Sequence, residues 1–188
     1  FDFLALRYLT ILHDAEVQIR EKEPDFDLEK LPQDDAATYR LIASGKTSGV
    51  FQLESGGMWQ MLMNLVPERI DDIIAAIALY RPGPMDSIPT FIECRHHPEK
   101  VTYATPLLEP ILRSTYGCVV YQEQVMQIFR EVAGYTFGHA DVVRRAMSKK
   151  KAAVLMAERE TFVAGAVERG VEAAVAEKLF SDMESFAN

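Results

Sequence analysis

The chain has 188 residues, of which 48% are hydrophobic and 26% charged, and its formal net charge at pH 7 is −8. These proportions are typical of a folded globular protein and exclude an intrinsically disordered one. No apolar run approaches the roughly 18 residues that a membrane-spanning helix needs. An acidic chain does not bind nucleic acid indiscriminately, although net charge says little about a local patch.

Helical patterns dominate the first half of the sequence. The apolar opening segment, Phe1–Leu4, favours the end of a β-strand, and Gly49–Glu54 is short, apolar and β-leaning. Pro24 ends a helix that begins near Leu6, because proline cannot continue a helix. Helices are predicted at residues 6–22, 36–44 and 58–66, and from residue 70, where isoleucines recur at helical spacing.

The second half continues in the same way after an irregular corner. Arg81-Pro82-Gly83-Pro84 cannot be helical, since it holds two prolines and a glycine. Helices are predicted at residues 87–96, 107–114, 122–133, 139–148, 152–169 and 171–186. With no internal repeat and no long linker, the sequence predicts one mainly helical unit with little β structure. Because both ends of the chain lie inside apolar segments, we expect a piece of a longer polypeptide.

One short motif partly matches the sequence pattern of a phosphate-binding loop. "SGKTS" (Ser44–Ser48) holds a Gly-Lys-Thr run, but a phosphate loop also needs a glycine five positions earlier, and that position is Arg40. The favoured interpretation is a helix that stops at Gly45 and is followed by a turn.

Two other motifs suggest metal binding. Cys94, His96, His97 and Cys118 lack the paired spacing of structural zinc sites, and the cysteines are predicted to be thiols. In "PDFDLEK", Asp25, Asp27 and Glu29 alternate as magnesium ligands on a strand would, but the flanking prolines favour an acidic loop between helices.

A basic cluster, "RRAMSKKK" (Arg144–Lys151), places five cationic side chains in eight residues with no acid among them. If residues 140–151 are helical, Arg144, Arg145, Ser148, Lys149 and Lys151 fall within an arc of about 160°. The arginine fork engages two phosphate oxygens at once, and lysine adds a mobile charge. Repulsion within the cluster favours a polyphosphate or nucleic-acid partner. A solvated helix end remains the alternative.

Three further residues are candidate site residues. Arg81 stands on a rigid corner, and loops of this kind often carry function, although a plain turn between helices is the alternative. Gln122, in "YQEQVM", is suited to polar contacts with a base or sugar, although an ordinary amphipathic helix start is the alternative. Asp2 lies between Phe1 and Phe3, and a carboxylate in an apolar setting needs a partner, of which a divalent cation is one.

Five segments resemble, in order and spacing, the bacterial C-family replicative DNA polymerases, the family of the DNA polymerase III alpha subunits. They are "FDFLALRYLT", "GVFQLESGGM", "IALYRPGPM", "TYGCVVYQEQVMQI" and "ADVVRRAMSKKK". The resemblance covers essentially all of the chain. It implies the end of a palm strand at residues 1–9 and a mainly helical fingers-type domain at residues 10–188.

The resemblance also implies roles for particular residues. Asp2 matches the last of three catalytic aspartates, which together hold two Mg²⁺ ions. Arg144 and Arg145 correspond to arginines that meet the triphosphate of the incoming nucleotide, and Lys149 and Lys151 line the same positive region. Arg81 and Gln122 are expected to join them as contacts to the dNTP or the template.

The implied activity is nucleotidyl transfer from a dNTP to a primer 3′-hydroxyl. The expected partners are primer–template DNA, dNTP and, through regions outside this chain, other replicase subunits such as a sliding clamp. We expect a cytoplasmic protein without membrane contacts, and a piece that is inactive alone because two of the aspartates are missing. The alternative is a non-catalytic helical module that binds nucleic acid or a protein.

Overall fold

The computed structural model describes residues 1, 3–149 and 152–186. Within those residues the structure has ten α-helices, short 3-10 turns and no β-strand, which confirms the mainly helical prediction. The helices are α1 (Arg7–Arg20), α2 (Ala36–Ala43), α3 (Gly56–Leu65), α4 (Ile70–Leu79), α5 (Ile88–His96), α6 (Glu109–Leu112), α7 (Gln122–Ala133), α8 (Phe137–Ser148), α9 (Ala152–Glu168) and α10 (Ala173–Phe186). None of the described helices combines the length and apolar content that crossing a bilayer requires.

The chain divides into two compact units, residues 1–70 and 71–188. The boundary falls at the first turn of α4 and not at a proline- or glycine-rich linker. For this reason nothing in the composition of the sequence marked it.

In the first unit, α2 packs against α3, and polar side chains fix where both helices begin. An Asp35 carboxylate oxygen accepts a hydrogen bond from the Thr38 amide at 2.7 Å, and the Ser55 hydroxyl accepts one from the Met58 amide at 3.2 Å. These caps satisfy amide groups that have no partner within the helix. After α2, Gly45 has a φ of 71°, so the predicted helix stop and turn are confirmed.

The predicted β tendency of Gly49–Glu54 is wrong. The segment forms turns, in which the Val50 amide donates to the Thr47 carbonyl and the Leu53 amide donates to the Val50 carbonyl. A strand needs a neighbour for its backbone groups, and here the chain satisfies those groups locally. At the start of the chain, Phe1 and residues 3–6 have no regular structure, so the palm strand stays a prediction.

In the second unit, helices α7 to α10 pack around three phenylalanine rings that are fully buried. The ring centroid of Phe129 lies 5.1 Å from that of Phe162 and 6.0 Å from that of Phe180, both in edge-to-face geometry. Edge-to-face pairs stabilise a core beyond the area they bury. This core supports the two helices, α7 and α8, that carry the predicted site residues.

Helices α7 and α9 cross at Gly165, where the two backbones nearly touch. A β-carbon at this position would overlap the carbonyl oxygen of Ala133. We expect Gly165→Ala to lower the free energy of unfolding by about 1–3 kcal/mol, because a backbone carbonyl cannot move aside as a flexible side chain can. Urea unfolding followed by circular dichroism measures the change.

Gly138→Ala is the matched control for this substitution. A β-carbon at Gly138, in the first turn of α8, would meet no atom within 4 Å. Alanine there is expected to be neutral or stabilising by up to about 1 kcal/mol, since it favours the helix. Equal effects of the two substitutions would show that α7 and α9 do not approach as closely as described.

Candidate functional site

A cleft of about 560 Å³ in the second unit brings together side chains from α4, the corner after it, the start of α7 and the second half of α8. We call it the α4–α7 cleft. Ile74, Ile77 and Val125 contribute apolar surface, and Arg81, Gln122 and Arg144 contribute polar groups. A few polar groups on an apolar wall are typical of a ligand site. Three of the predicted site residues, from distant parts of the sequence, therefore meet in one cleft.

Arg81 reaches the cleft from the predicted irregular corner. Helix α4 ends at Leu79, and Gly83 has a φ of 93°, a backbone conformation that L-residues with side chains rarely adopt. The Met85 amide closes the turn by donating to the Arg81 carbonyl at 3.1 Å. Pro84 is buried and begins the following 3-10 turn, while Arg81 is exposed. The corner thus fixes the backbone from which the guanidinium extends.

Gln124 fixes the start of α7, and sequence reasoning missed it. Its side chain is buried, and its Oε1 accepts from the amides of Val120 and Tyr121 at 2.8 and 2.9 Å. Its Nε2 donates to the Ile111 carbonyl at 3.3 Å and to the Thr115 hydroxyl at 2.8 Å. Every part of the amide is therefore paired, and it holds the backbone that presents Gln122. The available signal was a glutamine three residues after the residue that precedes the helix.

The Arg144 guanidinium is hydrogen-bonded to two side chains, Asp141 and Gln122. Its Nε and one terminal nitrogen donate to Asp141 Oδ1 at 3.2 and 2.8 Å, and the other terminal nitrogen donates to Gln122 Oε1 at 2.8 Å. The Arg144 side chain is only 23% exposed. Charge-assisted bonds of this kind are stronger than neutral ones. They give the guanidinium a defined position at the wall of the cleft.

Asp141 also pairs with the next arginine. Arg145 forms a short ion pair with Asp141 Oδ2, so each carboxylate oxygen takes one guanidinium. The hydrogen bond from Arg144, and then the bond from Arg145 and the charges of both, hold the pKa of Asp141 below its ordinary value. Because Arg145 is 61% exposed, it still presents positive charge to solvent.

These contacts correct one expectation about the basic cluster, that its counter-charge must come from a ligand. Helix α8 ends at Ser148, which is the predicted end, and Lys149 is exposed beyond the helix. The repulsion between the arginines is relieved from within the chain by Asp141, which stands three and four residues before them. Helical spacing could have revealed this pair. Lys151, together with Lys150, lies outside the described residues.

Asp2, the one residue predicted to bind a metal, lies outside the described residues. Among the residues that are described, no three His, Cys, Asp or Glu side chains come together as a metal site. Cys94 and Cys118 are buried free thiols, and burial raises the pKa of the Cys118 thiol to about 11. Asp27 lies in a loop, where it accepts from the Glu29 amide and pairs with Lys30.

Comparison with known proteins indicates the same family as the sequence motifs do. A family described as the bacterial DNA polymerase III alpha subunit finger domain matches residues 8–170. The chain is similar to DNA polymerase III subunit alpha of Thermus aquaticus, with 51% identity over 193 aligned positions that cover 100% of this chain and 16% of that protein. The corresponding protein of Staphylococcus aureus is 47% identical over 188 residues, covering 100% of this chain and 18% of that protein.

The chain spans less than a fifth of the length of these relatives. The family match, by contrast, extends over most of the described residues and includes nearly all of α1 and the whole of α2 to α9. The chain therefore belongs to the bacterial DNA polymerase III alpha subunit finger domain family.

Proposed function

We propose that this chain is the fingers part of a replicative DNA-directed DNA polymerase, with residues 10–188 forming the fingers and residues 1–9 the end of a palm strand. The family membership supports this, as does similarity to proteins named DNA polymerase III subunit alpha. The observation that carries the proposal is the convergence of Arg81, Gln122 and Arg144 on the α4–α7 cleft.

The cleft and the basic residues beside it fit the incoming dNTP. Arg144 is fixed at the wall, while Arg145 and Lys149 are exposed at the end of α8. A triphosphate gains charge on its leaving pyrophosphate during transfer, and cations already in place stabilise that charge without reorganising. We assign this role to Arg144 and Arg145, with Lys149 and Lys151 extending the positive surface toward the phosphates or the template.

The other polar groups of the cleft fit the rest of the nucleotide or the template strand. Gln122 is exposed and retains its amide nitrogen as a donor, since its oxygen accepts from Arg144. Arg81 also lines the cleft, and its guanidinium can bind a phosphate or stack on a base. Their side chains would then position the substrate while the arginines neutralise it.

A two-Mg²⁺ centre would require carboxylates that the described residues do not bring together. We propose Asp2 as one ligand of such a centre, with the other carboxylates supplied by the longer polymerase. For this reason we expect the 188-residue chain alone not to extend a primer, which a primer-extension assay measures. We also propose that the polymerase works in the cytoplasm on primer–template DNA, with a sliding clamp bound through other regions.

Nucleotide preference in the full-length polymerase tests the triphosphate assignment. We expect dNTP to bind more tightly than the matching dNMP, and Arg145→Glu to remove that preference, because it places a carboxylate where the phosphates would lie. Fluorescence titration with both nucleotides measures the two affinities. Arg113→Glu, at an exposed arginine paired with Glu109 outside the cleft, is the control and is expected to retain the preference.

The alternative function, a non-catalytic module that binds nucleic acid or a protein, predicts a different result. A general nucleic-acid surface would show affinity that falls steeply with salt and no preference for dNTP over dNMP. If Arg145→Glu and Arg113→Glu behave alike in the nucleotide titration, the triphosphate assignment is wrong.

A further inference from the structure

We propose that Asp141 is a positioning residue that acts as a resident counter-anion, holding Arg144 in place while releasing Arg145 to the incoming triphosphate. This inference rests on the proposed function and adds a residue to it. Its carboxylate contacts both arginines, with one oxygen toward each of them.

The two arginines are held unequally. Arg144 donates from each of its three nitrogens, two to Asp141 and one to Gln122, and its side chain is 23% exposed. Arg145 has one contact described with Asp141 and is 61% exposed. Moving Arg145 away breaks one exposed contact, whereas moving Arg144 breaks three. A ligand anion would therefore displace Asp141 from Arg145 far more easily than from Arg144.

Asp141 also has an electrostatic effect on the site. With both arginines paired to it, the three side chains carry a formal charge of +1 in place of +2, which reduces repulsion when no nucleotide is bound. The carboxylate repels an arriving phosphate at short range, where the solvent and salt screen the repulsion least. Asp141 should thus improve the geometry of the site at some cost in its affinity for anions.

Loss of the Asp141 charge should lower kcat but strengthen anion binding. A residue that only supports the fold would not change the two quantities in opposite directions. In the full-length polymerase, we expect Asp141→Asn to lower kcat by roughly 10- to 100-fold, by analogy with the loss seen when a group that orients a metal ligand is removed. The same substitution should strengthen the binding of inorganic tripolyphosphate several-fold, because a negative charge beside the phosphates is lost. Steady-state kinetics and competition by tripolyphosphate measure the two quantities.

Asp141→Glu keeps the charge within reach of both arginines and provides a second variant in case Asp141→Asn does not fold. We expect it to retain more kcat than Asp141→Asn and to bind tripolyphosphate with the affinity of the unchanged protein. Glu160→Gln removes a charge from an exposed position on α9 and is the control, expected to alter neither quantity.

The kinetic and binding results for the Asp141 variants either support or overturn the inference. It is overturned if Asp141→Asn weakens tripolyphosphate binding or leaves kcat unchanged, or if Asp141→Glu loses as much kcat as asparagine does. If neither variant folds as judged by circular dichroism, Asp141 is a structural residue and the inference is also wrong. Failure of the proposed function is separate: Arg145→Glu would then leave dNTP binding unchanged, whatever Asp141 does.

Discussion

Arg144→Ala should lower kcat/KM for the incoming nucleotide by about 10²–10³-fold in the full-length polymerase, the loss found when one fixed donor to developing charge is removed. The guanidinium is already oriented by Asp141 and Gln122, so its contribution does not depend on ordering during the reaction. Single-nucleotide incorporation at varied dNTP concentration measures the change.

Lysine at the same position separates charge from geometry. Arg144→Lys keeps the positive charge but has no planar fork with which to bind Asp141 and Gln122 together, so we expect an intermediate loss. Arg40→Ala removes an exposed arginine of the first unit and should have little effect. If Arg144→Ala is no more harmful than Arg40→Ala, the α4–α7 cleft is not the nucleotide site.

Asp72→Asn is expected to lower the free energy of unfolding by about 3–5 kcal/mol, the cost of leaving one member of a buried ion pair unpaired. Arg95 donates to Asp72 Oδ1 at 3.1 Å and to Oδ2 at 2.8 Å, and the side chains are 11% and 2% exposed. The pair joins α4 to α5 on either side of the Arg81 corner. Urea unfolding followed by far-UV circular dichroism measures the loss.

A double substitution tests whether the cost comes from the unpaired charge. Asp72→Leu with Arg95→Met removes both charges, and such replacements are often nearly neutral. As a control, Arg113→Gln breaks an exposed pair with Glu109 and should cost less than about 1 kcal/mol. A double variant that is less stable than Asp72→Asn would mean that the pair itself stabilises the fold.

Much of the helical fold follows from local patterns in the sequence. Helix α7 begins and ends at the predicted residues because Gln122–Ala133 carries a regular apolar stripe and Gly134, with a φ of 76°, ends it. The predicted β tendency of residues 49–54 is wrong although the composition of the segment suits a strand. Strand formation also depends on a partner elsewhere in the chain. Local composition does not reveal that partner.

The candidate site was predictable in its residue types but not in its internal contacts. Arg81, Gln122 and Arg144 could each be selected from local chemistry, yet their meeting in one cleft depends on how α4, α7 and α8 pack. Asp141 lies three residues before the basic run, so the composition of the run does not include its counter-charge. Two of the four partners of Gln124, Ile111 and Thr115, come from a segment that only the folded chain brings close to α7.

The buried amide of Gln124 has a consequence for how the site responds to acidity. An amide does not titrate, so the backbone in front of Tyr121 and Gln122 keeps the same hydrogen bonds at any pH at which the protein is folded. A carboxylate in place of the Gln124 amide would lose a hydrogen-bond acceptor when it is protonated and regain it when it is deprotonated. Under the proposed function, we therefore expect any change in nucleotide affinity between mildly acidic and mildly alkaline solution to originate in the ligand or in the charged groups, and not in the scaffold that holds this edge of the cleft.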